Sequence, residues 1–92
     1  MKHMVYKELT IVNKLGLHAR AAAKLVALAS TFQSKILIAK DAREVNGKSI
    51  MGVMMLAASQ HSVVNVTVSG DDEQEAMVAI EHLVNNFFDE EE

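Results

Sequence analysis

Gly16-Leu17-His18-Ala19-Arg20-Ala21-Ala22-Ala23-Lys24-Leu25-Val26 marks the point where one hydrophobic period stops and another begins. Upstream, residues 5 to 12 alternate, with Val5, Leu9 and Ile11 on one face and Tyr6, Glu8 and Thr10 on the other. That period of two predicts a half-buried strand. Asn13-Lys14-Leu15-Gly16 breaks it, and Gly16 permits a positive φ or a close backbone approach. Downstream, Ala22, Leu25, Val26, Ala29 and Phe32 recur at helical spacing and predict a core-facing helix over about 19–30. A second stripe on that helix, Ala19, Ala23, Ala27 and Ser30, has very small side chains; it fits a shallow docking face, although alanine needs no special reason in a helix.

Further along, residues 34–40 read as a strand with Ile36 and Ile38 inward, and Asp41-Ala42 turns into a short partner strand at 43–45. Asn46-Gly47 closes that segment with residues that favour positive φ. Ser49 is a good N-cap for a short helix over about 50–57, whose Ile50, Met51, Val53, Met54, Met55 and Leu56 are apolar nearly all round. A short surface helix cannot bury every side, so some of these methionines face solvent as an adaptable binding surface. Residues 61–68 alternate again through Val64, Val66 and Val68 and end at Gly70. Asp72 and Glu75 resemble a capping box for a last helix reaching about Phe87 and burying Ala76, Ile80, Leu83, Val84 and Phe87. The acidic run over 89–92 opposes that helix's dipole, which predicts fraying there. The order β-α-β-β-α-β-α predicts one α+β domain over 1–92, an open-faced β-sandwich with all helices on one face of the sheet.

Composition narrows the function. A net charge of −3 argues against an electrostatic grip on nucleic acid, and four of the twelve acidic residues lie in the 89–92 run. The absence of cysteine excludes disulfides and thiolate chemistry, and no His/Asp/Glu spacing suggests a metal. No cofactor is expected, because neither a glycine-rich loop nor a polar cluster is present. Met1 to Glu8 has no leader-like apolar run, and the longest apolar run, 50–58, is far below the ~20 residues that span a bilayer. A cytoplasmic, monomeric protein without membrane contact is the expectation.

The chemistry concentrates on His18 and Arg20. Backbone N–H groups in the first turn of a helix are unpaired and partly positive, so an anion is favoured beside His18, and phosphate fits. A neutral imidazole is a nucleophile, and a helix N-terminus disfavours its protonated form. His18 is therefore read as a phosphoryl acceptor, with Arg20 and the amides of Ala19 and Arg20 stabilising the phosphate. Phosphate on imidazole keeps a high transfer potential, which describes a covalent intermediate in transfer rather than a stand-alone enzyme. A plainer reading makes His18 a helix-start histidine and Arg20 a solvated cation. The preceding glycine, the helix start and the small neighbours weigh against it. His3, His61 and His82 read as surface residues. Ser49 reads as an ordinary cap, or as a kinase target beside an apolar patch. Two other classes compete: a binding module working through Ser49 and the methionines, and a small-ligand-binding domain.

Gly16-Leu17-His18-Ala19-Arg20 and Asn46-Gly47-Lys48-Ser49-Ile50-Met51-Gly52-Val53-Met54, with the entry Gly70-Asp71-Asp72-Glu73-Gln74, resemble HPr, the histidine-containing phosphocarrier of the bacterial phosphotransferase system. The resemblance covers nearly the whole chain. It implies a four-stranded antiparallel sheet with three helices on one side. It also implies that His18 takes phosphate on Nδ1 from enzyme I and passes it to an enzyme IIA, with Arg20 stabilising the phosphate. Ser49 corresponds to the family's regulatory site for HPr kinase/phosphorylase. Ile50, Met51 and Met54, with Ala19, Ala23 and Ala27, match the partner-docking surface. Ala21 stands where many members have proline, and the Arg-Ala-Ala-Ala run is more similar to the nitrogen-related branch than to the sugar-transport branch.

Overall fold

The alternating segments build one sheet. In the computed structural model, which describes residues 3–92, the strands are β1 (Val5–Thr10), β2 (Lys35–Lys40), β3 (Arg43–Asn46) and β4 (Val63–Ser69). They pair antiparallel throughout, in the order β1-β4-β2-β3. Met1 and Lys2, the start of the stretch read for a leader, lie outside the described residues. The register places Val5, Val68 and Ile36 in one row across the sheet, and Lys7, Val66, Ile38 and Val45 in the next. Val64, Val66, Val68, Ile36 and Ile38 are all buried, as their alternation requires. Fully burying a side chain of this kind contributes about 1.5–3 kcal/mol. Lys7 interrupts the apolar row on β1, and its Nζ reaches Glu81 on the last helix at 2.8 Å. Tyr6, Glu8 and Thr10 point to the opposite face and are exposed.

The helices are α1 (Ala19–Ala29), α2 (Ile50–Met55) and α3 (Glu73–Asn85). From α1 come Ala21, Ala22, Leu25 and Ala29, from α2 Val53, and from α3 Ala76, Met77, Ile80 and Val84, all buried in one core with the sheet residues. Val26 and Phe32 are only partly buried against it, while Ala21 is wholly buried. A helix with alanines on the core side lies close to its neighbours, so their small volume sets the packing distance.

Two expectations are corrected. Asp72 takes the N-cap position of α3 but bonds no amide of that helix. Its carboxylate instead accepts from the backbone N–H of Gln33 (2.9 Å) and Ser34 (2.9 Å) and from the Ser34 hydroxyl (2.5 Å). Glu73, not Glu75, reaches back, accepting from the Gly70 N–H at 3.0 Å. The end of α3 also differs: Phe88 is fully buried, whereas Phe87 is 38% exposed. After Asn85 the chain enters a single turn, Phe87–Asp89, with left-handed φ of 60°, 51° and 64°, which swings Phe88 inward. The left-handed turn carries the acidic run away from the negative end of α3 and across to the N-terminal end of α1. There the Lys14 N–H donates to the Glu92 carbonyl at 3.0 Å and Glu90 meets Asn13 and His18. Carboxylates are favoured at that end of a helix and disfavoured at the other.

Candidate functional site

The loop between β1 and α1 is tied from both sides. Gly16 has φ 66°, and a Cβ there would run into the carbonyl oxygen of Ala58 and lie 2.9 Å from Cα of Ser59. Only glycine fits that approach. The Leu17 N–H donates to the same Ala58 carbonyl at 2.8 Å, and the Leu17 side chain is buried. Asn13, wholly buried, accepts the Gly16 N–H on its carbonyl (3.1 Å) and donates from Nδ2 to the Gly16 carbonyl (2.8 Å). This loop delivers His18 to the N-cap of α1 in an extended conformation, φ −70° and ψ 176°.

The His18 side chain caps no amide. Ala22 is the first residue to donate into the helix, to the His18 carbonyl at 2.8 Å. The N–H groups of Ala19, Arg20 and Ala21 have no protein acceptor among the described residues, so the first turn keeps its donors free. Arg20 is exposed and forms no ion pair among the described residues.

Glu90 was not singled out from the sequence. One of its carboxylate oxygens pairs with Nε2 of His18, and the other accepts from Nδ2 of Asn13 at 3.0 Å. The side chains of His18 and Glu90 are 27% and 13% exposed. Burial pushes the Glu90 carboxyl up. The hydrogen bonds from Asn13 and His18, with the electrostatic attraction of His18 and Lys24, outweigh that and hold it below its ordinary value of 4.5. Lys24 also ties the run to α1 by donating to the Phe88 carbonyl at 2.9 Å. Lys14, Leu15, His18, Ala19, Arg20 and residues 90–92 line a recess of about 540 Å³, in which an acidic wall faces a basic one. Neither Asn13 nor Glu90 carries a local motif; only the density of acids over 89–92 is a signal, and by itself it predicts fraying at the end of the last helix.

Ser49 caps α2, its hydroxyl accepting from the Gly52 N–H at 3.2 Å. Ala19, Ala23 and Ala27 are exposed along α1. Ile50 (41%), Met51 (68%) and Met54 (41%) are exposed on α2, which packs against α1. Met55 on α2 and Leu15 in the loop before α1 are also exposed. No group of His, Asp and Glu among the described residues could hold a metal ion, and no described helix is long and apolar enough to cross a membrane.

The class of protein is set by an open-faced α+β sandwich with a histidine at the N-cap of its first helix, where the first-turn amides have no protein acceptor among the described residues. The family model described as "PTS HPr component phosphorylation site" matches residues 5–86, and the chain belongs to the HPr family, the phosphoryl carriers of the bacterial phosphotransferase system. It is 56% identical over 88 residues to the phosphocarrier protein HPr of Xylella fastidiosa strain Temecula1, a match covering 96% of this chain and 99% of the relative. Its structure is similar to HPr-C-His from Thermoanaerobacter tengcongensis, with a TM-score of 0.92, 48% identity, and coverage of 96% of this chain and 99% of that one. It is also similar to an HPr dimer from the same organism, with a TM-score of 0.76, 50% identity, and coverage of 89% and 94%.

Proposed function

We propose that His18 is the residue that carries the phosphoryl group, accepting it on Nδ1 from a phosphohistidine of enzyme I and passing it to an enzyme IIA. The observation that carries this reading is the position of the ring at the N-cap of α1, beside first-turn amides that have no protein acceptor among the described residues. Arg20 and the N–H groups of Ala19 and Arg20 supply positive charge to the phosphate oxygens, which is most of what phosphoryl transfer asks of a protein. The Glu90 carboxylate beside His18 is engaged by Nε2 of the ring and by Asn13 Nδ2 rather than by water at Nδ1, so the phosphate passes on rather than hydrolysing.

The exposed faces of α1 and α2 support the docking role: Ala19, Ala23 and Ala27 with Ile50, Met51 and Met54 offer apolar, adaptable surface next to His18. Phosphorylation of Ser49 by HPr kinase/phosphorylase would put about two negative charges on that surface and weaken docking. The protein acts in the cytoplasm as a monomer, without nucleic acid, membrane or cofactor. The alanines after Arg20 favour the nitrogen-related branch, which comparison of phosphate transfer to enzymes IIA of the two branches tests.

Incubation with enzyme I and phosphoenolpyruvate is expected to give one acid-labile, base-stable phosphate per chain, absent in His18→Ala. Labelling of His18→Ala at the wild-type level overturns the assignment and leaves the Ser49 and methionine surface as the working part.

A further inference from the structure

We infer that Glu90 is a positioning residue for His18, its carboxylate holding the proton on Nε2 and leaving Nδ1 as the free nucleophile. This rests on the reading of His18 as the phosphoryl acceptor. An ionised carboxylate only accepts hydrogen bonds, so the nitrogen it pairs with must carry hydrogen. In a neutral ring the other nitrogen then carries the lone pair. Glu90 is itself fixed, because Asn13 Nδ2 donates to its second oxygen and the buried Asn13 is anchored to Gly16. Phe88 in the core and Lys24 on its carbonyl hold the turn that presents Glu90. A carboxylate that orients an imidazole and selects its tautomer is worth several orders of magnitude in a hydrolytic triad.

The transfer needs that tautomer. The Nδ1 lone pair forms the new N–P bond while the N–P bond of the donor breaks, its electron pair returning to the donor's ring nitrogen. The proton on Nε2 stays where it is, and the phosphorylated ring carries positive charge opposite the Glu90 carboxylate. Onward transfer breaks the His18 N–P bond, returns the pair to Nδ1 and restores the same neutral tautomer. No proton has to be gained or lost on His18 in either direction. Arg20 and the amides of α1 serve the phosphate on one edge of the ring, and Glu90 serves the other. Lys14 and Lys24 are the cations facing the acidic run, with Glu91 and Glu92 alongside Glu90.

The test combines 15N NMR of the His18 ring with the initial rate of phosphoryl acceptance from enzyme I and phosphoenolpyruvate, in the full chain. Wild type is expected to show the Nε2–H tautomer predominating. Glu90→Ala is expected to mix the tautomers and slow acceptance about two- to tenfold, in proportion to the competent fraction. Glu90→Gln, whose amide oxygen still accepts from Nε2–H, is expected to restore the tautomer and much of the rate, which a merely structural role for the run would not produce. Unchanged tautomers in Glu90→Ala overturn the proposal, as does faster acceptance, which would make residues 90–92 a cover over the site. Because the tautomers are read without phosphate, a failure of His18 as acceptor registers separately, in the labelling of His18→Ala.

Discussion

At the residue scale, the site depends on two positions that never touch phosphate. Gly16 has φ 66° against the Ala58 carbonyl, and Asn13 spends its amide on Gly16 and Glu90. Gly16→Ala forces a side chain into left-handed backbone and into the 58–59 segment, and is expected to cost about 1–3 kcal/mol, measured by urea unfolding, with slower phosphoryl acceptance. Full stability in Gly16→Ala would show that the loop relaxes freely. The places of Gly16, His18 and Ser49 were legible in sequence because their signals are local: a turn residue, a helix start, a cap. Glu90 was not, because its partner His18 lies 72 positions away and no periodicity links them. An acidic run looks the same whether it is solvated or folded onto a cation.

At the element scale, two links join distant segments through carboxylates, and both are sensitive to acid. The Ser34 hydroxyl and then the Gln33 amide hold the Asp72 carboxyl below its ordinary value of 3.8, and Glu90 is held below 4.5. A folded value below the unfolded one means that the stabilisation is present above the unfolded value and lost as pH falls through the folded one. Asp72→Ala is therefore expected to be less stable than wild type at pH 7 and to converge with it as the pH falls through the lowered folded value of Asp72, as read by urea midpoints. An equal gap above and below that value would locate the loss in packing instead. The end of α3 offers a second check. Phe88→Ala empties a fully buried ring and is expected to cost about 3–5 kcal/mol, while Phe87→Ala costs far less. Sequence periodicity chose Phe87, since a continued helix would bury that residue; the left-handed turn over Phe87–Asp89 shifted the pattern by one. Phe87 and Phe88 are bulky residues that rarely adopt left-handed backbone, so their own identity did not announce it.

At the scale of the whole molecule, alternation and helical spacing were enough for the order of elements and for the helical face of the sheet, because each strand and helix is amphipathic about that one core. The order β1-β4-β2-β3 is what brings the loop before α1 and the short helix α2 to the same side of the fold. Burial divides α2 in two: Val53 and, just beyond its end, Leu56 go inward, while Ile50, Met51, Met54 and Met55 remain outside. Side chains left outside on one flank contribute little to folding but much to association, where a few apolar residues carry most of the energy. Met51, at 68% exposed, separates the two roles. Met51→Glu is expected to change stability by no more than about 0.5 kcal/mol, and to raise the KM for this protein as substrate of enzyme I about tenfold or more, because docking would desolvate a charge without a partner. Val78 is equally exposed, at 64%, on α3. Val78→Glu is expected to leave that KM unchanged, so equal effects from the two substitutions would assign docking to net charge rather than to the face shared by α1 and α2.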